Sequence, residues 1–270
     1  MGRYLVTGAN GGMGSAVCRL LSEAGHTVFG LDRTFPEEAK ESGLPGETFF
    51  RITADVTDAE ALKRAAALVR KETAFLDGIV HTAGIYDLNS LVEMPEKELV
   101  RDFDVNLFGA FRVNQAFFGL LGRGGRIVMV SSELAPLHPL PFTGVYGVTK
   151  AALERYAEAL RMEVQLLGIG VSVIRPGAVK TGMLPESERK MNEFVEHTAH
   201  YAVNAGRFRR IVGKVEARNV TPEKVASVIR KALSVRRPKL VYKVNRNPLL
   251  LLLGALPKRL QLFAIRKILE

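Results

Sequence analysis

Arg3-Tyr4-Leu5-Val6-Thr7-Gly8-Ala9-Asn10-Gly11-Gly12-Met13-Gly14 runs from an apolar stretch of strand type through a turn with four glycines into a helical pattern. Glycines allow a tight turn and let the backbone approach a pyrophosphate closely. The N-terminus of the helix that follows offers unpaired N–H groups to phosphate oxygens. Strand, glycine turn and helix in this order predict a nucleotide-binding βαβ unit, with Gly8, Asn10, Gly12, Met13 and Gly14 against the cofactor.

Working outward, short apolar runs alternate with helical patterns, which predicts a mostly parallel sheet covered on both faces. The strands are placed at Arg3 to Thr7, Thr27 to Leu31, Thr48 to Ala54, Gly78 to Thr82, Arg126 to Ser131, Val171 to Arg175 and Leu240 to Val244. Helices are expected near Met13 to Ala24, Asp58 to Lys71, Glu96 to Leu120, Val145 to Leu167 and Pro222 to Leu233. Asp58 is the expected N-cap of the second helix, and Gly168 or Gly170 the stop after the fourth. Fold class is therefore α/β, a Rossmann-type doubly wound parallel sheet in a single domain, residues 1–245, with a helical extension over 246–270. In such a sheet the ligand sits outside the carboxyl ends of the strands, where the motifs here indeed fall.

The second strand ends in Asp32-Arg33, roughly the 20 residues beyond the glycines at which a dinucleotide site places its ribose acceptor. A carboxylate there accepts from both adenosine ribose hydroxyls and repels a 2′-phosphate, which favours NAD over NADP. Arg33 pulls the other way, because a guanidinium can pair with that phosphate.

Tyr146-Gly147-Val148-Thr149-Lys150 places a phenol and an amine four residues apart, on one face of a helix. Reducing a ketone by hydride requires a proton for the developing alkoxide, and oxidation requires the reverse. A phenol with its pKa near 10 does this at neutral pH only if a nearby cation stabilises its anion. Tyr146 as acid/base and Lys150 as electrostatic partner follow from that chemistry. Upstream, Ser131-Ser132 follows an apolar strand, and such a hydroxyl can hydrogen-bond the substrate oxygen.

Thr7-Gly8-Ala9-Asn10-Gly11-Gly12-Met13-Gly14, Tyr146 with Lys150, and Ser132 together resemble the short-chain dehydrogenase/reductase family, in motifs spanning residues 3 to 181. The resemblance implies an NAD(P)-dependent oxidoreductase acting on an alcohol/ketone pair. It selects Ser132, with Ser131 as fallback. The gap from Ser132 to Tyr146 is 14 residues, one more than the family commonly shows, and the loop Glu133 to Pro141 is expected to absorb the difference. Asn106, in Asp104-Val105-Asn106-Leu107-Phe108-Gly109, matches the family's fourth catalytic residue, whose main chain helps hold a water beside the lysine. The resemblance also assigns Asp55 and Val56 to the adenine, Ala83 and Gly84 to close cofactor approach, and Pro176, Gly177, Val179 and Thr181 to the nicotinamide side, alongside Tyr146 and Lys150. His81-Thr82 replaces the family's two asparagines, and His81 is read as a structural substitution rather than a catalytic base.

The chain has 270 residues and a formal net charge of +10. From Ala205 to Glu270 there are 17 Lys/Arg against 3 Asp/Glu, leaving 21 against 25 elsewhere, so the excess is wholly C-terminal. No helix-turn-helix, zinc-finger or aromatic RNA-binding pattern accompanies it, and no nucleic-acid partner is expected. Cys18, the single cysteine, excludes an internal disulfide and a cysteine-based zinc site, and no metal is expected. With no signal-like N-terminus, a cytoplasmic location follows.

Residues 183–219 are expected to form a substrate lid with His197, His200, Arg207, Arg209 and Arg210 among its aromatics, either simply amphipathic or aiming basic groups at an anionic substrate. The apolar Leu249 to Leu253 run is too short to span a bilayer but can roof a lipophilic pocket, touch a membrane peripherally or bury itself in a subunit interface. The extension resembles those of family members acting on hydroxysteroids, retinoids and other lipids, bile acids included. Reduction of 3-oxoacyl thioesters and a non-catalytic NAD-binding sensor are the alternatives. A homo-oligomer, dimer or tetramer, is the family expectation.

Overall fold

The computed structural model describes residues 1–36, 48–137 and 140–270. Seven strands, β1 (Arg3–Thr7), β2 (Thr27–Asp32), β3 (Phe49–Thr53), β4 (Leu76–His81), β5 (Leu121–Val130), β6 (Gly170–Pro176) and β7 (Val241–Val244), form one sheet. Their order is β3-β2-β1-β4-β5-β6-β7, with every pairing parallel. The winding reverses between β1 and β4, where Thr7 lies beside His81 in register and the two following loops open side by side. That is the crevice at which a doubly wound sheet binds its ligand.

Helices α1 (Gly12–Glu23) and α8 (Pro222–Ser234) cover one face; Val17, Leu21, Val225 and Ile229 pack there on Val6, Val28 and Val128. Helix α2 (Ala59–Glu72) covers the other, presenting Leu62, Ala65, Ala66 and Val69 at helical spacing. Its N-cap is Asp58, whose carboxylate accepts from the Glu60 and Ala61 N–H groups at 2.9 Å. Helix α5 (Gly144–Val164) lies on the same face and ends through a short 3-10 turn at Gly168, whose φ of 76° suits glycine.

Two departures from the expected elements have physical causes. The helix expected from Glu96 to Leu120 is α3 (Glu96–Phe103), a π turn at Asp104–Phe108, then α4 (Gly109–Phe117) and a closing 3-10 turn. The widened turn falls at Asn106, whose side chain is engaged away from the helix, as described below. Strand β5 begins at Leu121 rather than Arg126, because Leu121 pairs with Leu76 before a register shift that precedes Gly78. Of the loop expected to absorb one residue before Tyr146, residues 138–139 lie outside the described residues.

Beyond β6 come α6 (Met183–His197) and α7 (Ala202–Glu216), and after β7 come α9 (Pro248–Ala255) and α10 (Lys258–Leu269). Phe142, Phe194, Phe208 and Leu269 form a separate apolar cluster that joins α10 to the lid helices. Asn204 Nδ2 donates to Leu269 O at 2.8 Å, so the extension is packed on α7 rather than hanging free.

Candidate active site

The first cleft lies at the switch point and measures about 440 Å³. Gly8 has φ +68°, and a Cβ there would sit 2.7 Å from Ala83 N; one on Gly14 would sit 2.0 Å from Gly8 O. The cradle is thus bare backbone that an alanine would fill. Gly12, Met13, Ala83 and Gly84 line it as expected positions, with Asp32 and Arg33 at its far end. Asp32 Oδ2 accepts the Asn10 N–H at 2.9 Å, which ties the glycine turn to the tip of β2. Asp55 Oδ1 accepts from both N–H and hydroxyl of Thr57 at 2.8 Å, so this carboxylate also holds the turn into α2. Val56 borders the cleft beside it. An apolar slot of Leu31, Ala54 and Val105 was not singled out from sequence, though each stands next to a residue that was. Bare glycine turn, helix N-terminus, apolar slot and ribose-side carboxylate together fit a nicotinamide dinucleotide.

A second cavity, about 160 Å³, adjoins the first, and Met13, Thr82, Gly84, Ile85 and Thr181 line both. Tyr146 and Lys150 face it from the first turns of α5. Lys150 Nζ donates to Val130 O at 3.2 Å and lies 5.7 Å from the centre of the Tyr146 ring. Ser132 Oγ accepts the Leu134 N–H at 3.2 Å, and its hydroxyl lowers the pKa of the neighbouring Tyr146 phenol. Ser131 instead points at Lys150 O, 3.5 Å away, so the two serines take different partners. Burial pushes the Tyr146 phenol up to about 12, against a lowering by Ser132, and burial pulls the Lys150 ammonium down to about 8. Near neutrality the phenol therefore holds its proton while most of the lysine remains charged.

Asn106 stands behind this group. Its Nδ2 donates to Ile85 O and to Thr149 Oγ1, both at 3.0 Å, and its Oδ1 accepts Ile85 N–H at 2.8 Å. Thr149 Oγ1 in turn donates to Tyr146 O at 2.9 Å. A Cβ on Gly84 would lie 3.0 Å from Asn106 Oδ1 and 3.2 Å from Lys150 Nζ, which is why the loop after β4 must be small there.

Pro176, Gly177, Val179 and Thr181 line the other wall. Gly177 is pressed against the chain after β7, where a Cβ would meet Asn245 O at 2.0 Å, and Val179 bridges to Val220. His81 lines neither cavity: its Nε2 is 2.9 Å from Asn114 Oδ1, and burial lowers its pKa to about 4, leaving the ring neutral.

The lid differs from the expectation of basic groups aimed inward. Phe208, Val212 and Val215 recur at helical spacing and turn into the cavity, with Ile211, Glu216 and, from α9, Leu250. That spacing places Arg207, Arg209 and Arg210 on the other faces of α7, and His197 and His200 also lie outside the described lining. His197 Nδ1 binds Glu193 O, and Arg209 reaches Asn192 Oδ1. Of the two readings of the lid, this lining matches the simply amphipathic one, and the basic groups of the other are not among the described lining residues. Tyr86 and Glu216, which sequence reasoning missed, border the cavity instead. Their meeting depends on how α7 crosses the loop after β4, and neither carries a local signal.

A sequence profile described as short chain dehydrogenase matches residues 3–192. The chain is 28% identical over 269 residues to a 3-ketodihydrosphingosine reductase of Bacteroides thetaiotaomicron, covering 97% of this chain and 96% of that one. It is 29% identical over 259 residues to an NADPH-dependent 3-dehydrocapnine reductase of Ornithobacterium rhinotracheale, covering 92% and 90%. A crystal structure of a short-chain dehydrogenase from Streptomyces avermitilis superposes with TM-score 0.79 at 28% identity, over 99% of this chain and 96% of that one.

Proposed function

The chain belongs to the short-chain dehydrogenase family and is an NAD(P)-dependent oxidoreductase; from that premise we propose that it interconverts a ketone and a secondary alcohol on a hydrophobic, chain-like substrate. The observation that carries this reading is the convergence of Ser132, Tyr146 and Lys150 on one wall, with Lys150 Nζ 5.7 Å from the Tyr146 ring, at the junction of the dinucleotide cleft and an apolar cavity.

The bound nicotinamide cofactor would supply or accept the hydride. In the reducing direction Tyr146 donates its phenolic proton to the carbonyl oxygen as negative charge develops there. Ser132 donates a hydrogen bond to the same oxygen. Lys150, held by Val130 O, stabilises the phenolate that remains, and Asn106 keeps the loop at Ile85 and the helix at Thr149 in step behind it. Gly8, Asn10, Gly12, Met13 and Gly14 would hold the pyrophosphate side and Asp32 the adenosine ribose. Asp55, Val56, Ala83 and Gly84 would line the adenine and central parts, and Pro176, Gly177, Val179 and Thr181 the nicotinamide side.

Asp32 supports NAD. A second reading, NADP, is favoured by Arg33 on the same cleft and by a relative named as NADPH-dependent. The cavity lining supports an alkyl chain: it is mainly apolar, with Leu250 of α9 on its wall, and its 160 Å³ lies below the roughly 300–1,000 Å³ of drug-sized sites. Relatives named for 3-ketodihydrosphingosine and 3-dehydrocapnine support a keto substrate.

Among the described residues no helix is long and apolar enough to cross a membrane. Exposed Leu249, Leu252, Leu260, Leu262 and Phe263, with Lys258, Arg259, Arg266 and Lys267 on the same two helices, support peripheral contact with an anionic bilayer. Cosedimentation with anionic but not neutral vesicles checks this. Exposed Phe108, Phe111, Val148 and Met162 support a homo-oligomer through the long helices, and buried, unpaired Cys18 suits a reducing cytoplasm.

Turnover with each reduced cofactor on a long-chain 3-keto amphiphile, a ketosteroid, an oxidised bile acid and a 3-oxoacyl thioester tests the substrate. Faster reduction of the amphiphile is expected. Reduction confined to the thioester or to the steroid contradicts the chain-like reading.

A further inference from the structure

Among the described residues, the charged side chains that border the apolar cavity are Lys150, Glu133 and Glu216. Lys150 is engaged with Val130 O, and Glu133 Oε2 accepts the Asn247 N–H at 2.7 Å. Glu216, at the last position of α7, lies near enough to the Tyr86 hydroxyl for each to shift the other's pKa, yet its Oε1 is buried with no hydrogen-bond partner. Tyr86 packs edge-on against Tyr146 with ring centroids 4.6 Å apart, and Glu216 lines the same cavity as both tyrosines. Burial, opposed by the Tyr86 hydroxyl and reinforced by the charge of Glu188, pushes the Glu216 pKa up to about 7, and no cation among the described residues forms a salt bridge with it. The arginines of α7 do not line the cavity.

Resting on the alcohol/ketone reading above, we propose that Glu216 is a specificity-determining residue that receives a primary ammonium of the substrate, which is therefore a long-chain ketone with a protonated amine close to its carbonyl. An ammonium supplies both missing features: a positive charge for the carboxylate and several donors, one for Oε1. A substrate hydroxyl would fill Oε1 but leave the charge uncompensated, and an anionic group would meet two carboxylates. Phe208, Val212, Val215 and Leu250 then line the path of the alkyl chain.

The test compares a long-chain 2-amino-3-ketone with the same ketone carrying hydrogen in place of the amine, using wild type and Glu216→Gln. The wild-type ratio of kcat/KM, amino over desamino, is expected to exceed about tenfold, as for a charge-assisted hydrogen bond in a dry pocket. Glu216→Gln should reduce that ratio by about the same factor, mainly through the KM of the amino ketone. A wild-type ratio near one overturns the proposal. So does a variant that slows both ketones equally, because Glu216 would then only position Tyr86. Calorimetry with the cofactor-loaded wild type provides a second readout on the matching amino alcohol and its desamino form. Amine-dependent binding without any ketone turnover keeps the ammonium site and removes the alcohol/ketone reading. Turnover of both ketones with no amine preference does the reverse.

Discussion

Asn106 and Ile85 pair as two peptide units would: the side-chain amide of one donates to the carbonyl of the other at 3.0 Å and accepts its N–H at 2.8 Å. The pairing fixes the loop after β4 against the π turn and against Thr149 on the helix that carries Tyr146 and Lys150. Asn106→Ala leaves two backbone groups of Ile85 without their partners. Urea unfolding should show a loss of about 1–3 kcal/mol, the cost of part-buried polar groups left unsatisfied. A loss below about 0.5 kcal/mol, within the scatter of ordinary surface changes, would contradict the stapling role.

Gly14 is packed on Gly8 so closely that an alanine Cβ would lie 2.0 Å from Gly8 O. The contact is backbone and cannot rotate away, so Gly14→Ala must shift the turn that is proposed to hold the pyrophosphate. Calorimetric titration should show cofactor affinity reduced by about tenfold or more, matching an overpacking cost of about 1–3 kcal/mol. Unchanged affinity would mean that the turn does not hold the cofactor.

Asp32 and Arg33 line the first cleft together, and the proposed reading gives Asp32 the ribose hydroxyls of an adenosine. Wild type is expected to bind NAD more tightly than NADP, and Asp32→Asn to reduce that preference by about tenfold, the worth of a lost charge–phosphate repulsion and a weakened acceptor. Fluorescence titration with both reduced cofactors checks this. Tighter NADPH binding by the wild type would assign the dominant role to Arg33.

His81 is buried against Asn114 with its pKa lowered from 6.5 to about 4 by desolvation. The folded form keeps the ring neutral while the unfolded chain takes up a proton below pH 6.5. The group's contribution is therefore full above that pH and is lost as pH falls through about 4. A shift of this size corresponds to about 3 kcal/mol. In His81→Asn, the fall in unfolding free energy between pH 7 and pH 4 should be smaller by roughly that amount. Parallel pH profiles for the two proteins would show that His81 is not held neutral.

Much of this architecture is legible in the amino-acid order, because its signals are local. The glycine turn follows β1, Asp58 caps α2, Gly168 ends α5 with a left-handed φ, and Tyr146 and Lys150 share a helix face. Ser132 could be separated from Ser131 only by a resemblance; in the structure their different partners separate them. The π turn was not legible, since nothing in Asp104 to Phe108 forbids a regular helix, and the widening answers a partner 21 residues away. Which face of the lid turns inward was not legible for a related reason. Counting arginines on α7 says nothing of which face turns inward, and Phe208, Val212 and Val215 decide that by burial. Tyr86 and Glu216 meet only through tertiary packing.

The central claim is that Tyr146 protonates a substrate oxygen while hydride passes between substrate and nicotinamide. The most direct measurement supplies reduced cofactor carrying deuterium on the transferring nicotinamide carbon and a long-chain 3-keto amphiphile, then locates the label in the product. Wild type should place deuterium on the new carbinol carbon. Tyr146→Phe should retain cofactor binding yet lose turnover by about 100-fold to 10,000-fold, the range for removing a general acid. Absence of label from the carbinol carbon in wild-type product, or turnover undiminished in Tyr146→Phe, would contradict the account.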